Sequence, residues 1–398
     1  MTSLQNRADV IVVGGGPAGA STAWALARNG IETLIVDRAR FPRAKPCAEY
    51  LSPQAARLLH EMGVLEGLER SGVTTLSGMR IHAGSASFEG NFAGSHGFRG
   101  FRNRGIAVRR ERLDALLLDA ARAAGARVLE NAVVQDVVRD DSGAAVGVSL
   151  RRDSTVIELR ARHVVGADGI RSVVARRLGL ARRMRWPSRY AFVTHWEGVA
   201  DVGDGVTNVA VVTDSSRATA AAGDADGFVV KLVASHATLA PHFSHARQIS
   251  AVLPTGPFGS RAKAACAAGA TLVGDAADFY DPFTGKGIYA ALRGGELLAP
   301  YVVESLRAPN ARAQRAALEA YDRCRRHEFG GKWRLERLVS IAVAHPPLLA
   351  LIARRLHARC DLADLLVGVA GDFVPPREVL NLRFAMRLFA PLTATEAA

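Results

Sequence analysis

The sequence predicts an α/β (α+β) protein in which a domain built from βαβ units is interrupted by a mostly antiparallel sheet and followed by a C-terminal helical region. Three observations lead there. The apolar run 10–13 feeds a glycine-rich turn and then a stretch of small residues with helical character. Between about Trp186 and Leu253, valine, threonine and aromatic residues alternate with period two. From about Ala311 onward the chain is Arg-rich and patterned as helix.

Taken in order, 9–13 reads as a short buried strand, 18–29 as a helix closed by Gly30, and 32–37 as a second strand. Leucines 113, 116, 117 and 118 among polar residues predict a helix over 110–125. Residues 127–138 and 147–150 read as strands, 156–165 as a pair of strands, and 270–273 as another strand. A helix is expected over 287–298. Within the middle segment, 190–196, 206–212 and 228–233 read as strands, and the Ala/Gly/Ser-rich stretch 215–227 as a surface loop. Helices at 348–356, 361–369 and 379–389 follow the breaks at Pro346-Pro347 and Pro375-Pro376. The expected division is 1–75, 105–182 and 265–310 for the βαβ domain, 76–104 and 183–264 for the sheet domain, and 311–398 for the helical region.

Composition narrows the function classes. The 398 residues are 49% hydrophobic and 22% charged, an ordinary globular balance. Cys47, Cys266, Cys324 and Cys360 are far apart and form no CxxC pair, which argues against a zinc site and a disulfide framework, so no metal and a reducing, cytoplasmic setting are expected. No stretch offers ~20 unbroken apolar residues, so no transmembrane segment is expected. The net charge of +13 is compatible with anionic partners, including an acidic protein. Its arginines are scattered among alanines without a nucleic-acid motif, so no nucleic-acid partner is expected.

The chemistry begins at Gly14-Gly15-Gly16-Pro17-Ala18-Gly19. Gly14, Gly16 and Gly19 fit G-x-G-x-x-G: a tight turn, a close backbone approach to a pyrophosphate, and close helix–strand packing. The helix that follows offers free N–H groups and a partial positive charge. Asp37, eighteen residues past Gly19 at a strand end, is placed to accept from ribose hydroxyls, with Arg38 beside it. Strand, turn, helix and acid together specify a Rossmann-like dinucleotide site. Two acidic glycine turns lie far downstream, Asp168-Gly169 and Gly274-Asp275, the second followed by Asp281-Pro282-Phe283-Thr284-Gly285-Lys286-Gly287-Ile288.

In these residues the chain resembles the group A flavoproteins with the p-hydroxybenzoate hydroxylase fold, and their geranylgeranyl-reductase-like branch. The resemblance implies FAD, an FAD-binding domain, and a substrate domain formed by the inserted sheet. It implies that Asp275 holds a ribitol hydroxyl, with a helix N-cap as the alternative. It further implies that Gly285, Gly287 and Ile288 lie along the flavin's pyrimidine edge and Pro282 at the ring, and that Asp168 serves fold and flavin indirectly. Arg110, with Arg109 as the alternative, is implied at the pyrophosphate. The segment from Lys45 through Pro46, Cys47, Ala48, Glu49, Tyr50, Leu51 and Ser52 to Pro53 resembles that branch's K-x-C-G-E-x-L-S-P stretch beside the ring, with Ala48 in place of glycine. Cys47 is then a packed neighbour of the flavin or a participant in proton transfer, and Glu49 a polar anchor. His195, beside Trp196, reads as a structural histidine.

The activity expected first is hydroxylation of an organic substrate through a flavin C4a-hydroperoxide, with NAD(P)H as transient reductant. One alternative is flavin-dependent reduction of a prenyl or other alkene, although no clear Y-x-W-x-F-P segment is present. The other is action on a carrier-protein- or peptide-tethered substrate. Peripheral membrane contact through apolar faces of the tail is a further expectation.

Overall fold

The protein's structure, a computed structural model, describes residues 7–182, 184, 186, 188–200, 205–281, 285 and 287–391. Its core is an eight-stranded sheet centred on Arg7–Val13 and Thr155–Gly166. Arg7–Val13 pairs in parallel with Thr155–Gly166 on one side and with Thr33–Val36 on the other. Val10, Ile11 and Val12 are fully buried, as befits a central parallel strand covered on both faces.

Thr155–Gly166 is one strand rather than the expected pair. Its first half alternates exposed and buried residues against Ala145–Arg152, antiparallel. Its last residues are continuously buried between two parallel neighbours. That switch of texture within one strand imitates a break.

The helix Pro17–Arg28 carries proline in its first turn and packs on Gly287–Arg307. The approach is close: a Cβ at Gly295 would lie 2.2 Å from Ser21 Oγ. Gly287–Arg307 therefore runs longer than the helix expected from 287, and it anchors the long helix Ala311–Ala344.

The inserted sheet has four strands. Arg189–Glu197 pairs antiparallel with Val206–Asp214, Arg247–Gln248 and Leu253–Thr255. The expected loop at 215–227 and strand at 228–233 are instead two helices, Ser215–Ala220 and Ala225–Ser235, joined by a short 3₁₀ turn. Asp214 caps the first by accepting from the Ser216 and Arg217 N–H groups, and Asp224 caps the second through Gly227. Val229 and Val233, four apart, bury one helical face against Phe192 and Val252. The β-branched composition is overridden by that spacing.

A separate hairpin, Gly78–Ala83 with Ala86–Asn91, is covered by the helices Pro346–His357 and Cys360–Ala370. Pro346 opens a helix rather than only ending one. The last helix begins at Leu382, where Asn381 accepts from Phe384 N–H, three residues later than expected. It leaves Leu382, Met386 and Phe389 exposed. Among the described residues no single helix is long and apolar enough to cross a membrane.

Candidate functional site

A cavity of about 360 Å³ opens where the glycine turn, the segment 45–50 and the inserted sheet meet. The turn forms its inner end, with Gly16, Pro17 and Ala18 on the wall. Gly14 has φ +106°, and a Cβ there would lie 2.5 Å from Ala167 O; one on Gly19 would lie 1.8 Å from Gly14 O. These two glycines pack the turn against its own scaffold, whereas the nearest protein atom to a Cβ on Gly16 would be 3.6 Å away. Asp37 braces the turn from behind, accepting from Gly15 N–H at 2.6 Å and Ala39 N–H at 2.7 Å. Arg38 is exposed and off the cavity wall.

The charged side of the cavity carries Lys45, Arg110 and Asp275. Arg110 is buried and held by two 2.8 Å hydrogen bonds to Asp114, which also pairs with Arg43 at 3.1 Å. Arg109 instead is half-exposed and pairs with Glu111, so Arg110 is the arginine on the wall. Burial pushes the Asp275 carboxyl above its ordinary range, against the pull of Lys45 and Arg110. Burial also pushes the Lys45 ammonium down, with Arg110 adding to the shift and Asp275 opposing it. Neither Lys45 nor Asp275 hydrogen-bonds to any described residue.

Gly274, at φ +61°, lets the turn carrying Asp275 approach the first helix: a Cβ there would sit 2.8 Å from that of Ala18. Gly285, Gly287 and Ile288 lie on the wall, and Pro282 falls outside the described residues. Asp168 does not line the cavity. Its carboxylate accepts from Val173 and Val174 N–H and caps the helix Val173–Arg177, where burial pushes its pKa up. Its neighbours Ala167, Gly169 and Ile170 do reach the wall.

The facing wall is apolar. Ala191 and Val193 on one strand, and Ala210 and Val212 on its partner, point the same way at period two. At its edge stands a polar cluster that joins the two domains. Glu49, in the left-handed region at φ 59°, accepts from Arg110 N–H at 3.1 Å through Oε1. Its Oε2 lies 2.9 Å from His195 Nε2 and accepts from the Asn208 amide at 3.2 Å. Asn208 also donates to the Cys47 carbonyl at 2.9 Å, and the Cys47 sulfur accepts from Glu49 N–H at 3.3 Å. With its proton on Nε2, His195 presents Nδ1 to the Ser250 hydroxyl at 3.2 Å. A non-glycine residue held at positive φ by three partners is backbone strain fixed by its surroundings.

The structure sets His195 against Glu49, a pairing the sequence did not suggest. His195 and Asn208 are direct cross-strand partners, which brings both side chains to one face. Asn208 escaped sequence reading, although an amide within Val206–Asp214, a strand of mostly apolar residues, was the available signal. Lys45 was also missed as a site residue despite heading the Lys45–Pro53 motif.

The chain's own residues suit FAD. The side-chain-free turn at a helix start offers N–H groups to phosphates, while Asp275 and Lys45 are half-buried polar groups on the cavity wall that hydrogen-bond to no described residue. Comparison with known proteins agrees. A model of the FAD binding domain family matches residues 7–222. The menaquinone reductase of Mycobacterium tuberculosis is 38% identical over 178 residues, 44% of this chain; the match spans only 41% of that enzyme's length. A 1H-pyrrole-2-carbonyl-[peptidyl-carrier protein] chlorinase of Pseudomonas fluorescens is 24% identical over 346 residues, covering 75% of this chain and 76% of that protein. A flavoprotein/dehydrogenase from Cytophaga hutchinsonii superposes with a TM-score of 0.79 at 21% identity, covering 96% of each chain. The fold is that of the group A flavoproteins, and the chain belongs to the FAD binding domain family.

Proposed function

We propose that the chain is a flavin-dependent reductase of a prenyl or other alkene carried by a largely apolar substrate. The observation that carries this reading is the Glu49–His195 pair at the rim of an otherwise apolar wall. Bound FAD, once reduced, supplies two electrons and one hydrogen to a carbon–carbon double bond. Saturation then needs one proton, and Glu49 is the acid that lines the cavity. His195, after taking a proton from solvent on Nδ1, returns its Nε2 proton to Glu49 and is left neutral, with Ser250 hydrogen-bonding the far side of the imidazole. The apolar residues of the inserted sheet hold the alkene and exclude water. The menaquinone reductase supports reduction over hydroxylation, and the Lys45–Pro53 resemblance to the geranylgeranyl-reductase-like branch supports an alkene as the group reduced.

In this reading Gly14, Gly16, Pro17, Ala18 and Gly19 seat the pyrophosphate with Arg110. Asp37 and Arg38 lie toward the adenosine ribose, and Asp275 holds a ribitol hydroxyl. Cys47, Ala48, Pro282, Gly285, Gly287 and Ile288 border the flavin, Asp168 supports the site from behind, and NAD(P)H is the reductant. Residues 1–75, 105–182 and 265–310 form the FAD domain, 76–104 and 183–264 the substrate domain, and 311–398 the helical region.

Oxygen dependence tests the reaction. The FAD-loaded protein, reduced without oxygen and given a menaquinone or a prenyl lipid, is expected to yield a product in which one carbon–carbon double bond of the chain is saturated; reduction of the quinone ring alone, which adds the same two hydrogens, would contradict the reading. A product that forms only with oxygen and contains an added oxygen atom would return the reading to hydroxylation. The likeness to a carrier-protein chlorinase favours a second reading, in which the substrate arrives tethered. Turnover of a carrier-bound acyl group with no turnover of the free acid would establish it.

A further inference from the structure

A second cavity, also of about 360 Å³, lies behind the first. Asp278 and Tyr280 line it, while Phe279 between them lines the flavin cavity, so one short strand segment has a face on each. The opposite wall is one face of Ala311–Ala344, where Arg326, Gly330, Trp333, Arg334 and Arg337 recur at helical spacing. A Cβ at Gly330 would meet nothing within 4 Å, which leaves the floor open. The Arg261 guanidinium stands 5.1 Å from the centre of the Trp333 ring.

The charge here is one-sided. Four arginines face a single carboxylate, Asp278, which is already paired with Arg325 and, at 3.7 Å, with Arg261. Arg326 is engaged by Asp322 at 2.8 Å. Among the described residues, no carboxylate lies within ion-pair distance of Arg334 or Arg337. Ser260 and Tyr280 also line the groove, although their hydroxyl oxygens are turned away from its open space. The Trp333 ring is flanked by the Arg261 guanidinium and by that of Arg325, 5.3 Å from its centre. Two guanidinium forks with no carboxylate partner among the described residues, over an open floor, form a site for an oxyanion with several acceptors, and a volume of about 360 Å³ leaves room for an organic part.

We propose that this groove binds the phosphate-ester group of an organic ligand. The assignment is independent of the reaction in the flavin cavity. NADPH, 4′-phosphopantetheine and geranyl diphosphate share this chemistry and represent a reductant, a carrier tether and a prenyl substrate. The test titrates each of them, and inorganic pyrophosphate, into the FAD-loaded protein by calorimetry, with tryptophan fluorescence as a second readout. At least one ester is expected to saturate and to bind more tightly than inorganic pyrophosphate. The double variant Arg334→Ala/Arg337→Ala should weaken it at least about tenfold, the scale of one charge-assisted hydrogen bond, with FAD content unchanged. Arg334→Lys/Arg337→Lys, which keeps the charge and loses the fork, should fall between, and Tyr280→Phe, which removes a hydroxyl buried away from the open groove, should leave binding unchanged. The ester that binds most tightly identifies the source. Failure of all three esters to saturate, inorganic pyrophosphate binding as tightly as any of them, or unchanged binding in the double arginine variants would overturn the proposal.

Discussion

The glycine turn at 14–19 and the segment 45–50 border the same cavity, but their conformations are fixed in opposite ways. The turn is determined almost locally: a strand enters, Gly14 and Gly19 remove the side chains that would collide, and Asp37 closes it from 22 residues beyond Gly15. Glu49, in the other segment, is held by Arg110, His195 and Asn208, which lie 61, 146 and 159 residues away. The turn is cofactor architecture that a single βαβ unit can build. The segment at 45–50 acquires its chemistry only when the inserted sheet docks on the FAD domain, so the reaction depends on the long-range contacts.

Substitutions on the two sides should therefore fail differently. The largest effect is expected at Gly19→Val. With even a Cβ 1.8 Å from Gly14 O, the helix must shift, and overpacking of this kind costs about 1–3 kcal/mol or more. The purified protein should lack visible flavin absorbance, and retention of full FAD would show that the turn is less constrained than its geometry indicates. Glu49→Gln should keep its FAD and lose turnover by roughly 10²–10⁴-fold, the range for a positioned general acid. Reduction of the flavin by NAD(P)H should be unaffected in that variant.

Asp275→Asn should come next, with FAD affinity reduced by about 10- to 100-fold in equilibrium dialysis, as expected for losing a hydrogen bond to a charged group. Smallest is Asn208→Ala. It removes the bonds to the Cys47 carbonyl and Glu49, and a melting curve should show a loss of about 1 kcal/mol with part of the activity retained. If Asn208→Ala were as damaging as Glu49→Gln, the cluster would be a structural clamp between domains rather than an acid with a support.

This contrast also explains what could be read from the sequence. The placement of Gly14, Gly16, Gly19, Asp37 and Asp275 in turns at strand ends was legible because it is written in short local spacings. Arg110 was preferred over Arg109 from its spacing to Leu113, and the structure places it on the cavity wall. His195 and Asn208 were not legible as partners of Glu49, since their convergence depends on the register of two strands in the inserted sheet. Ala225–Ser235 was misread as partly strand because Phe228 and its valines carry β propensity, while the i,i+4 burial of Val229 and Val233 decides for helix. Asp168 was legible as a residue of the motif, and its work as a helix cap emerged only with the helix beside it.

The most direct measurement is anaerobic reduction of an alkene substrate by the FAD-loaded, pre-reduced protein in deuterium oxide, comparing the unmodified chain with Glu49→Gln. A saturated product is expected with solvent-derived deuterium on both former alkene carbons, one through the exchangeable N–H of the reduced flavin and one through the acid, formed far more slowly by the variant although its flavin is equally reduced. An oxygen-requiring product with no saturated bond, or equal rates in the two proteins, would contradict this reading.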